Sequence, residues 1–251
     1  MKCVIHGSGG VGGYYGGCLA RAGHEVFFIA RGAHLEAIQQ QGLSIKSAKG
    51  DFRIETPKSG ERCDPNFDPD LVIVAVKSWQ LPEITEEIKN YCTPSTLILP
   101  LQNGADASDI LADTLGPERV LGGLTKIFSK IEAPGVINHF TGATYIGFGE
   151  YFQDPQFQNA PDSLSERCRN LEKELDSTPG IDAEAFADIQ KELWRKMLIF
   201  VSTSGVGTIT RTPNGVFRSI PETREMLIQL IREILIIGQA KKVNINEDDY
   251  E

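Results

Sequence analysis

A glycine-rich segment near the N-terminus narrows the range of folds that this chain can adopt. Residues 7–12 read Gly-Ser-Gly-Gly-Val-Gly, which is the G-x-G-x-x-G spacing. The apolar run Cys3–His6 before it predicts a buried strand, and the helical periodicity of Gly12–Ala22 after it predicts a helix. A glycine turn that joins an N-terminal strand to a helix is typical of dinucleotide-binding βαβ units, so the sequence points to an α/β fold.

Each glycine of this motif has its own physical task. Gly7 permits the tight turn out of the strand, Gly9 lets the backbone approach a pyrophosphate, and Gly12 lets the helix pack closely on the sheet. The N-terminus of the helix also presents unpaired N–H groups to phosphates. We therefore predict a cofactor-binding turn made of Gly7, Ser8, Gly9, Gly10, Val11 and Gly12. The alternative is a glycine loop that binds nothing.

The first part of the chain alternates strand-like and helix-like segments. Continuous apolar runs, typical of buried parallel strands, occur at Cys3–His6, Val26–Ile29, Leu71–Val76 and Thr96–Leu101. Helical patterns occur between or after them at Gly12–Ala22, Ala33–Gln41, Pro82–Tyr91 and Ala107–Leu115. This alternation predicts an N-terminal Rossmann-type, doubly wound sheet. We also expect a hairpin formed by Val136–Phe140 and Thr144–Phe148 around residues 141–143, and a helix at Asp162–Leu175.

The pattern changes near Ala187. Ala187–Ser204 and Glu222–Lys242 are long helical patterns with no strand between them. We therefore place the domain boundary near Asp182–Ala187. Residues 1–185 are expected to form the dinucleotide-binding domain, and residues 186–251 an all-helical second domain for substrate binding or dimerisation.

Charge and cysteine content exclude several classes of protein. The 251 residues carry a formal net charge of −9, which argues against a nucleic acid or an anionic membrane as partner. Residues 1–50 differ, with five basic and two acidic groups, and this local excess suits a small anionic ligand. The five cysteines form no C-x-x-C pair and the four histidines are not clustered, so no disulfide framework or metal site is expected. No signal peptide or membrane span is recognisable, and we expect a cytoplasmic protein.

The residue at the end of the second predicted strand bears on which dinucleotide is bound. A cofactor without a 2′-phosphate is usually met there by an acidic side chain, about 20 residues beyond the glycines. This chain has Arg31 instead. A guanidinium can pair with a ribose 2′-phosphate but cannot accept a hydrogen bond from a 2′-hydroxyl. Arg31 therefore favours NADP(H) over NAD(H), against the alternative of a solvated surface charge.

Two further polar residues follow predicted strands. Lys77 comes directly after Leu71–Val76, and Asn103 follows Thr96–Leu101. The carboxyl ends of parallel strands share one edge of a sheet, where ligands bind in open α/β folds. We therefore expect Lys77 and Asn103 to join the glycine turn as ligands. Taken singly, they would be a charge at a strand end and a turn residue.

A lysine in the helical part occupies an unusual position. The neighbours of Lys196 on its helical face are the apolar residues Ile189, Leu193 and Phe200. The expected solvent face holds Asp188, Lys191 and Arg195. A partly desolvated ammonium has a lowered pKa, which suits proton transfer near neutral pH in a cleft that faces a nicotinamide. The alternatives are that Lys196 extends along its stem to water or braces the helix against a carboxylate.

Together these motifs resemble the ketopantoate reductases (2-dehydropantoate 2-reductases). The segments that carry the resemblance are the glycine turn, Val76–Gln80, Gln102–Gly104, Glu192–Lys196 and Thr212–Gly215, in the family's order. The resemblance implies an NADPH-dependent reduction of 2-dehydropantoate to pantoate, a step of pantothenate biosynthesis.

The resemblance also implies roles for single residues. Lys196 matches the catalytic lysine, a general acid that protonates the carbonyl oxygen as hydride arrives. Arg31 and Lys77 match contacts to the 2′-phosphate. Asn103 matches a residue that touches cofactor and substrate, and Asn214 matches an asparagine on the substrate side.

This chain departs from the family's pattern in two places. The family has asparagines four and eight residues after the catalytic lysine, where this chain has Phe200 and Ser204. We expect Ser204 to contact the substrate in a pocket made more apolar by Phe200. The family continues for about another helical half-domain, with a substrate-binding serine and glutamate, so the second domain is expected to be incomplete at Glu251. Two alternatives stay open, namely a reductase of the family for another 2-oxo acid and a non-catalytic, NADP-binding or redox-sensing protein.

The last helical pattern, Met226–Ala240, has an apolar side that needs cover. This side consists of Leu227, Leu230, Ile231, Ile234 and Ile237. A partner subunit or residues beyond this sequence must pack on it. Of the two we favour a homodimer formed through the helical domain.

Overall fold

The chain folds into two compact units. The computed structural model describes residues 1–152 and 163–250. The first unit is Met1–Ile189 and the second is Gln190–Glu251. The division lies four residues beyond the boundary expected between residues 185 and 186. Asp162, where one helix was expected to begin, lies outside the described residues.

The first unit alternates strands and helices. Its strands are β1 (Lys2–His6), β2 (Glu25–Ile29), β3 (Leu43–Ser47), β4 (Phe52–Ile54), β5 (Lys58–Gly60), β6 (Leu71–Val74), β7 (Leu97–Pro100), β8 (Leu121–Ala133), β9 (Val136–Glu150) and β10 (Asp182–Ala185). Its helices are α1 (Gly10–Arg21), α2 (Gly32–Gln41), α3 (Leu81–Lys89), α4 (Ala107–Leu115) and α5 (Glu166–Asp176). The four predicted parallel strands correspond to β1, β2, β6 and β7, with ends that differ by two residues or fewer.

The first sheet is parallel and doubly wound, as predicted. Strands β5, β2, β1, β6 and β7 lie side by side in this order, and each neighbouring pair is parallel. The chain adds β2 and β5 on one side of β1 and then crosses over to add β6 and β7 on the other side. The topological switch point therefore lies between β1 and β6, and ligands bind beyond the carboxyl ends of such strands.

Apolar layers cover both faces of this sheet. Side chains alternate along a strand, so neighbouring residues of β6 serve different layers. Leu71 and Ile73 join a core that includes residues of α1 and α2. Val72 and Val74 join a second core with residues of α3 and α4. All four side chains of β6 are fully buried, which explains why its sequence is continuously apolar rather than alternating.

A second sheet packs against α1. Its strand order is β10-β9-β3-β4, and β8 pairs with β9 in the antiparallel direction. Through α1 the second sheet is tied to the first, and within the second sheet β8 and β9 pack against that helix more than β3 and β4 do. The long strands β8 and β9 therefore bring a hairpin close to the glycine-rich turn.

The hairpin predicted around residues 141–143 is wrong. Val136–Phe140 and Thr144–Phe148 belong to the single strand β9, and the hairpin is formed by β8 and β9 around Gly135, whose φ is +73°. None of residues 141–143 has the positive φ that a tight hairpin turn needs. Residues 140–143 stand opposite one residue of β8, between Ile127 and Ser129. The segment is therefore a β-bulge.

All five cysteines lie in the first unit as free thiols. Cys3, Cys18, Cys63 and Cys168 are buried, and Cys92 is half-buried. Burial raises the pKa of Cys3 and of Cys92 to about 12, so their thiols are uncharged at neutral pH. In this state a cysteine behaves as a small apolar side chain.

The second unit is helical over its described residues. The helix α6 (Ile189–Thr210) leads into it and is followed by α7 (Asn214–Ser219) and α8 (Pro221–Ala240). Helices α6 and α8 approach closely, because a Cβ added at Gly238 would lie 2.8 Å from the ring of Trp194. A short 3-10 turn, Glu247–Asp249, follows α8. In the described part of the chain, no helix is long and apolar enough to cross a membrane.

The apolar side predicted for the last helix is largely covered. Leu227, Ile231 and Ile234 are buried, and Leu230 is half-buried. Ile237 is 52% exposed, and the next residue toward the N-terminus, Ile236, is 64% exposed. The prediction that this whole side lacks cover is therefore wrong, and only its C-terminal end is open.

Candidate functional site

The glycine-rich turn begins at the carboxyl end of β1. Gly7 has φ +103°, a left-handed conformation that favours glycine, and a Cβ added there would lie 2.7 Å from Cγ1 of Val76. A Cβ added at Gly12 would lie 2.2 Å from the carbonyl oxygen of Gly7. The protein's own packing therefore requires glycine at both of these positions.

Gly9 differs from the other two glycines of the motif. Its φ is −74°, which any residue can adopt, and a Cβ added there would meet no atom of the described residues within 4 Å. Neither backbone strain nor packing against the described part of the chain requires a glycine at this position. The open space beside Gly9 is where a pyrophosphate is expected to approach the backbone.

The hairpin of β8 and β9 forms one wall of the turn. A Cβ added at Gly10 would lie 2.5 Å from the carbonyl oxygen of Ser129 on β8. Gly10 is the first residue of α1, and Val11, the next residue, is half-buried. The first turn of α1 is thus held between the parallel sheet and the hairpin.

Ser8 is anchored through its backbone, whereas its side chain has no hydrogen-bond partner in the described part of the chain. Its N–H donates to the carbonyl oxygen of Ile29 at 2.9 Å, and its own carbonyl accepts from Nε2 of His34, also at 2.9 Å. Its Oγ is buried, and no hydrogen-bond partner is found for it among the described residues. A buried hydroxyl without a partner within the turn fits a site whose ligand supplies the missing partner.

The register of the sheet brings the predicted cofactor ligands to one edge. His6 of β1 pairs with Ile29 of β2 and with Val74 of β6, and Val74 pairs with Pro100 of β7. The four strands therefore end level with one another. The predicted ligands follow these strand ends by one to three residues and are Gly7, Arg31, Lys77 and Asn103.

Arg31 and Lys77 give this edge its positive charge. Both side chains are exposed, and Nη1 of Arg31 lies 3.9 Å from Oε1 of Glu83 in the first turn of α3. The backbone N–H of Lys77 donates to Oε1 of Gln80 at 3.1 Å, which fixes the start of the short 3-10 turn Ser78–Gln80. Two cations that follow β2 and β6, the strands on either side of β1, fit a phosphate monoester on the ribose of a dinucleotide.

Gln102 is a residue of this edge to which the sequence assigns no role of its own. Its buried Nε2 donates to the carbonyl oxygens of Val74 and Val76, at 3.0 Å each. These two bonds join the end of β7, which carries Asn103, to the end of β6, which carries Lys77. The only sequence signal is its place directly after an apolar run, which does not distinguish a bridging amide from a ligand.

A neutral histidine lies beneath the edge. Nδ1 of His6 is 2.8 Å from the hydroxyl of Tyr91, and both side chains are buried. Burial, assisted by the charge of Arg31, lowers the pKa of His6 to about 4. His6 is therefore uncharged at neutral pH, so the positive charge of this edge stays on the exposed Arg31 and Lys77.

The second unit carries the other predicted site residues. Lys196 is half-buried on α6, Ser204 is exposed eight residues further on the same helix, and Asn214 is the exposed first residue of α7. Of the apolar neighbours of Lys196, Leu193 is buried and Phe200 is 46% exposed. The apolar stripe is therefore closed on the N-terminal side of Lys196 and open on the C-terminal side.

The face of α6 expected to meet solvent is partly covered. Nζ of Lys191 lies 3.2 Å from Oδ1 of Asp249, and Nε of Arg195 lies 3.5 Å from the same atom. Arg195 is exposed, but Lys191 is half-buried and the carboxylate of Asp249 is 8% exposed. Of Lys191 and Arg195, only Arg195 is exposed as a residue of a solvent face is expected to be. Lys191 is half-buried because the last described residues, including Asp249, fold back on α6.

Known protein families match nearly the whole chain. The family model described as ketopantoate reductase PanE/ApbA matches residues 3–151, and the model of its C-terminal part matches residues 188–251. The first match contains the glycine turn and the strand edge, and the second contains α6, α7 and α8. The two described units thus each correspond to one part of the family.

Relatives and solved structures agree with this assignment. YkpB of Bacillus subtilis (strain 168), an uncharacterized oxidoreductase, is 32% identical over 97% of this chain and 76% of its own. The 2-dehydropantoate 2-reductase of Pyrococcus abyssi is 28% identical over 93% of this chain and 72% of its own. The crystal structure of 2-dehydropantoate 2-reductase from Porphyromonas gingivalis W83 covers 99% of this chain and 85% of its own, with 27% identity and a TM-score of 0.86. The chain therefore belongs to the ketopantoate reductase family, whose members are NADP-dependent oxidoreductases acting on a 2-oxo acid.

Proposed function

We propose that this protein catalyses the NADPH-dependent reduction of 2-dehydropantoate to pantoate. The observation that carries the proposal is the open approach to Gly9 at the same strand edge as two cations, Arg31 and Lys77. This arrangement suits the pyrophosphate and the 2′-phosphate of one dinucleotide. Membership of the family supports the choice of a 2-oxo acid as substrate, and relatives named 2-dehydropantoate 2-reductase support the particular acid.

The proposed cofactor site belongs to the first unit. The backbone of residues 7–12 and the N-terminus of α1 bind the pyrophosphate, Arg31 and Lys77 bind the 2′-phosphate, and Asn103 contacts cofactor and substrate. NADPH, when bound, supplies the hydride. The residues of the edge orient it and screen its phosphates.

The proposed general acid is Lys196. Hydride addition to the carbonyl carbon converts the C=O group into an alkoxide, and the ammonium of Lys196 stabilises that charge and gives its proton to the oxygen. Ser204 and Asn214 are proposed to bind the polar groups of the substrate. Lys196 then regains its proton from solvent.

A second candidate substrate follows from Phe200. This residue stands one helical turn after Lys196, where the family's pattern has an asparagine, and its side chain is 46% exposed. An apolar side chain there favours a 2-oxo acid with fewer hydroxyl groups than 2-dehydropantoate. The alternative is therefore a reductase of the same family for another 2-oxo acid.

The experiment is a measurement of NADPH oxidation with 2-dehydropantoate and with a panel of other 2-oxo acids. We expect turnover with 2-dehydropantoate, a loss of kcat by at least a hundredfold in Lys196→Ala, and no change in Lys241→Ala, which removes an exposed lysine after α8. A higher kcat/KM on another oxo acid would identify that acid, rather than 2-dehydropantoate, as the substrate. Binding of NADPH without turnover of any acid would favour a non-catalytic NADP-binding protein, and equal rates for Lys196→Ala and the wild type would refute the role of Lys196.

We further propose that the protein forms a homodimer through its helical unit. The support is the open end of α8, where Ile236 and Ile237 are exposed side by side. Light scattering after gel filtration tests this proposal. We expect a dimer for the wild type and a shift toward monomer for Ile236→Lys, while a monomeric wild type would contradict it.

A further inference from the structure

The ring of His34 links two segments that are distant in sequence. His34 lies in the first turn of α2, and its Nε2 is 2.9 Å from the carbonyl oxygen of Ser8 in the glycine-rich turn. Its Nδ1 is 3.0 Å from the backbone nitrogen of Gly135, at the tip of the hairpin between β8 and β9. The ring thus spans the gap between the turn and the hairpin tip, and each of its nitrogens makes one hydrogen bond.

The two partners determine which nitrogen carries the proton. A carbonyl oxygen only accepts, so Nε2 must donate to Ser8. A backbone N–H only donates, so Nδ1 must accept from Gly135. Both bonds therefore require a neutral imidazole that is protonated on Nε2.

The bond to Ser8 fixes a peptide plane in the glycine turn. Because the peptide is planar and trans, the carbonyl of Ser8 and the N–H of Gly9 point in opposite directions. Holding the carbonyl toward His34 therefore aims the N–H of Gly9 the other way. The preceding N–H of Ser8 is held by Ile29, so the peptide groups on both sides of Ser8 are anchored. Without the second anchor, the peptide before Gly9 could rotate, since glycine offers little steric resistance.

We propose that His34 is a positioning residue of the cofactor site, which in its neutral form holds the Ser8–Gly9 peptide in the orientation that binds the pyrophosphate. This inference rests on the proposed role of residues 7–12 in binding NADP(H). It adds a residue outside the motif, on the next helix, whose contacts are with the turn rather than with the cofactor. Loss of the bond should weaken cofactor binding while leaving the chemical step intact.

The proposal has a pH dependence of definite sign. Burial lowers the pKa of His34 below its ordinary value of 6.5, and the bond to Ser8 offsets this in part. The nearest charged residues along the chain are Arg31, directly before α2, and Glu36 on α2. On the hairpin side, Glu132 of β8 pairs with Lys46 of β3 at 2.8 Å. The glycine turn itself contributes no charged group. Below its pKa, the ring gains a proton on Nδ1, which then faces the N–H of Gly135. The two donors repel each other and displace the ring from Ser8, so cofactor affinity falls as the pH decreases.

Three variants separate the two bonds. The Nε2 of a glutamine can take the place of the histidine Nε2, so His34→Gln keeps the donor toward Ser8. The Oδ1 of an asparagine can take the place of Nδ1, so His34→Asn keeps only the acceptor for Gly135. His34→Ala removes both. His24→Gln is the matched control, because His24 is also partly buried with a lowered pKa but lies beside Met1, at the amino end of the sheet.

The measurement is the dissociation constant of NADP⁺ by titration calorimetry at a series of pH values from 7.5 down to 4.5. NADP⁺ is chosen because it survives acid. At pH 7.5 we expect His34→Ala and His34→Asn to bind roughly tenfold more weakly than the wild type, the effect of one lost hydrogen bond, and His34→Gln to stay within about threefold. KM for NADPH should follow the dissociation constant, with kcat nearly unchanged.

The pH comparison uses the wild type against His34→Gln, because the titration of the cofactor phosphate is common to both. We expect the affinity advantage of the wild type to shrink as the pH is lowered from 7.5, and a ratio that stays constant down to pH 4.5 would overturn the role of the neutral ring. Equal rescue by asparagine and glutamine would overturn the role of the Ser8 bond, as would full affinity of His34→Ala. If alanine at this position prevents folding, as seen in its melting temperature, the glutamine and asparagine variants decide. A wild type that binds NADP⁺ but reduces no oxo acid would refute the proposed reaction and leave this inference standing.

Discussion

The three glycines of the G-x-G-x-x-G motif are required for different physical reasons. Gly12 is glycine because a Cβ would strike the backbone of Gly7, and Gly7 is glycine because its φ is positive. Gly9 satisfies neither condition, since its φ is ordinary and the space beside it is open. The absence of a side chain at Gly9 therefore leaves room for a ligand that approaches the backbone from outside. This distinction separates folding from binding at positions only three residues apart.

Alanine at Gly12 should accordingly reduce the stability of the fold, whereas alanine at Gly9 should reduce the affinity for the cofactor. We expect Gly12→Ala to lower the free energy of unfolding by about 1–3 kcal/mol or more, because the new methyl group overlaps backbone. Gly9→Ala should leave that free energy within about 0.5 kcal/mol but weaken NADPH binding by at least about tenfold. Denaturant unfolding and cofactor titration of both variants provide the check. Loss of stability in Gly9→Ala with normal affinity would reverse the assignment.

Glu83 bears on the charge that the cofactor meets. Its carboxylate is 3.9 Å from Arg31, and both side chains are more than half exposed. We expect Glu83→Gln to tighten NADPH binding by a factor of about two to five at low salt, because an exposed carboxylate competes weakly with the 2′-phosphate for Arg31. NADH binding should not change, and the gain should fade at high salt.

The matched control for this prediction is Glu118→Gln. Glu118 is similarly exposed and pairs with an arginine as well, Arg119, but this pair precedes β8 at the opposite edge of the sheet. Glu118→Gln should alter neither the affinity for NADPH nor the affinity for NADH. An equal gain for both variants would mean that overall charge, rather than the neighbourhood of Arg31, sets the affinity.

At the scale of elements, the sequence predicts the buried strands well and the exposed ones poorly. The strands β1, β2, β6 and β7 are continuous apolar runs because helices cover both their faces, and such runs are recognisable without a structure. Strands β8 and β9 are longer, but polar and charged residues such as Lys126 in β8 and Asn138 in β9 interrupt their apolar sequence. Their pairing is set by contacts across the sheet, and the small residues of the bulge look like a turn in the sequence.

The residues of the candidate site also divide into those that the sequence predicts and those that it does not. Arg31, Lys77 and Asn103 are predictable because each follows a strand, and parallel strands share a carboxyl edge. His34 and Gln102 are not, since their importance rests on hydrogen bonds to backbone atoms. His34 reaches a glycine 101 residues away, and no local pattern encodes such a contact.

One ion pair joins two elements of the first unit. Glu150, at the end of β9, accepts from Oγ of Ser165 at 2.6 Å and from Nε of Arg167 at 2.7 Å, and Nη2 of Arg167 also contacts it. Burial acts to raise the pKa of Glu150, but the hydrogen bonds from Arg167 and Ser165 outweigh it, and the pKa lies below its ordinary value of 4.5. The pair therefore stabilises the fold above pH 4.5, and its contribution is lost as the pH falls further.

Removal of this carboxylate should be costly. We expect Glu150→Gln to lower the free energy of unfolding by about 2 kcal/mol at pH 7, and by less as the pH falls below 4.5. Glu55→Gln is the control, because Glu55 pairs with Arg53 on the surface and should change stability by less than about 0.5 kcal/mol. Urea unfolding at several pH values measures both. A loss that does not depend on pH would show that packing, not charge, is responsible.

At the scale of the molecule, stability is tied to histidines that must stay neutral. Burial lowers the pKa of His6 from 6.5 to about 4, and it also lowers the pKa values of His24, His34 and His139. In the unfolded chain these rings bind protons near pH 6.5. Between pH 6.5 and pH 4 the unfolded state therefore binds more protons than the folded state, and stability falls as the pH decreases.

The largest single share of this loss should come from His6. We expect it to account for about 3 kcal/mol over that interval, from its shift in pKa. His6→Gln should therefore flatten the dependence of the free energy of unfolding on pH between 6.5 and 4, whatever its stability at pH 7. A slope equal to that of the wild type would show that His6 titrates normally in the folded protein.

The distribution of cysteine and tryptophan gives each unit its own reporter of unfolding. Every cysteine lies in the first unit with its thiol at least half hidden, so the rate of alkylation measures how often that unit opens. Of the two tryptophans, Trp194 is buried in the second unit, while Trp79 is 77% exposed and changes its surroundings little on unfolding. Followed together during denaturation, alkylation and fluorescence would show whether the units unfold in one step. Two separate midpoints would mean that a chain with two folding units can lose one and keep the other.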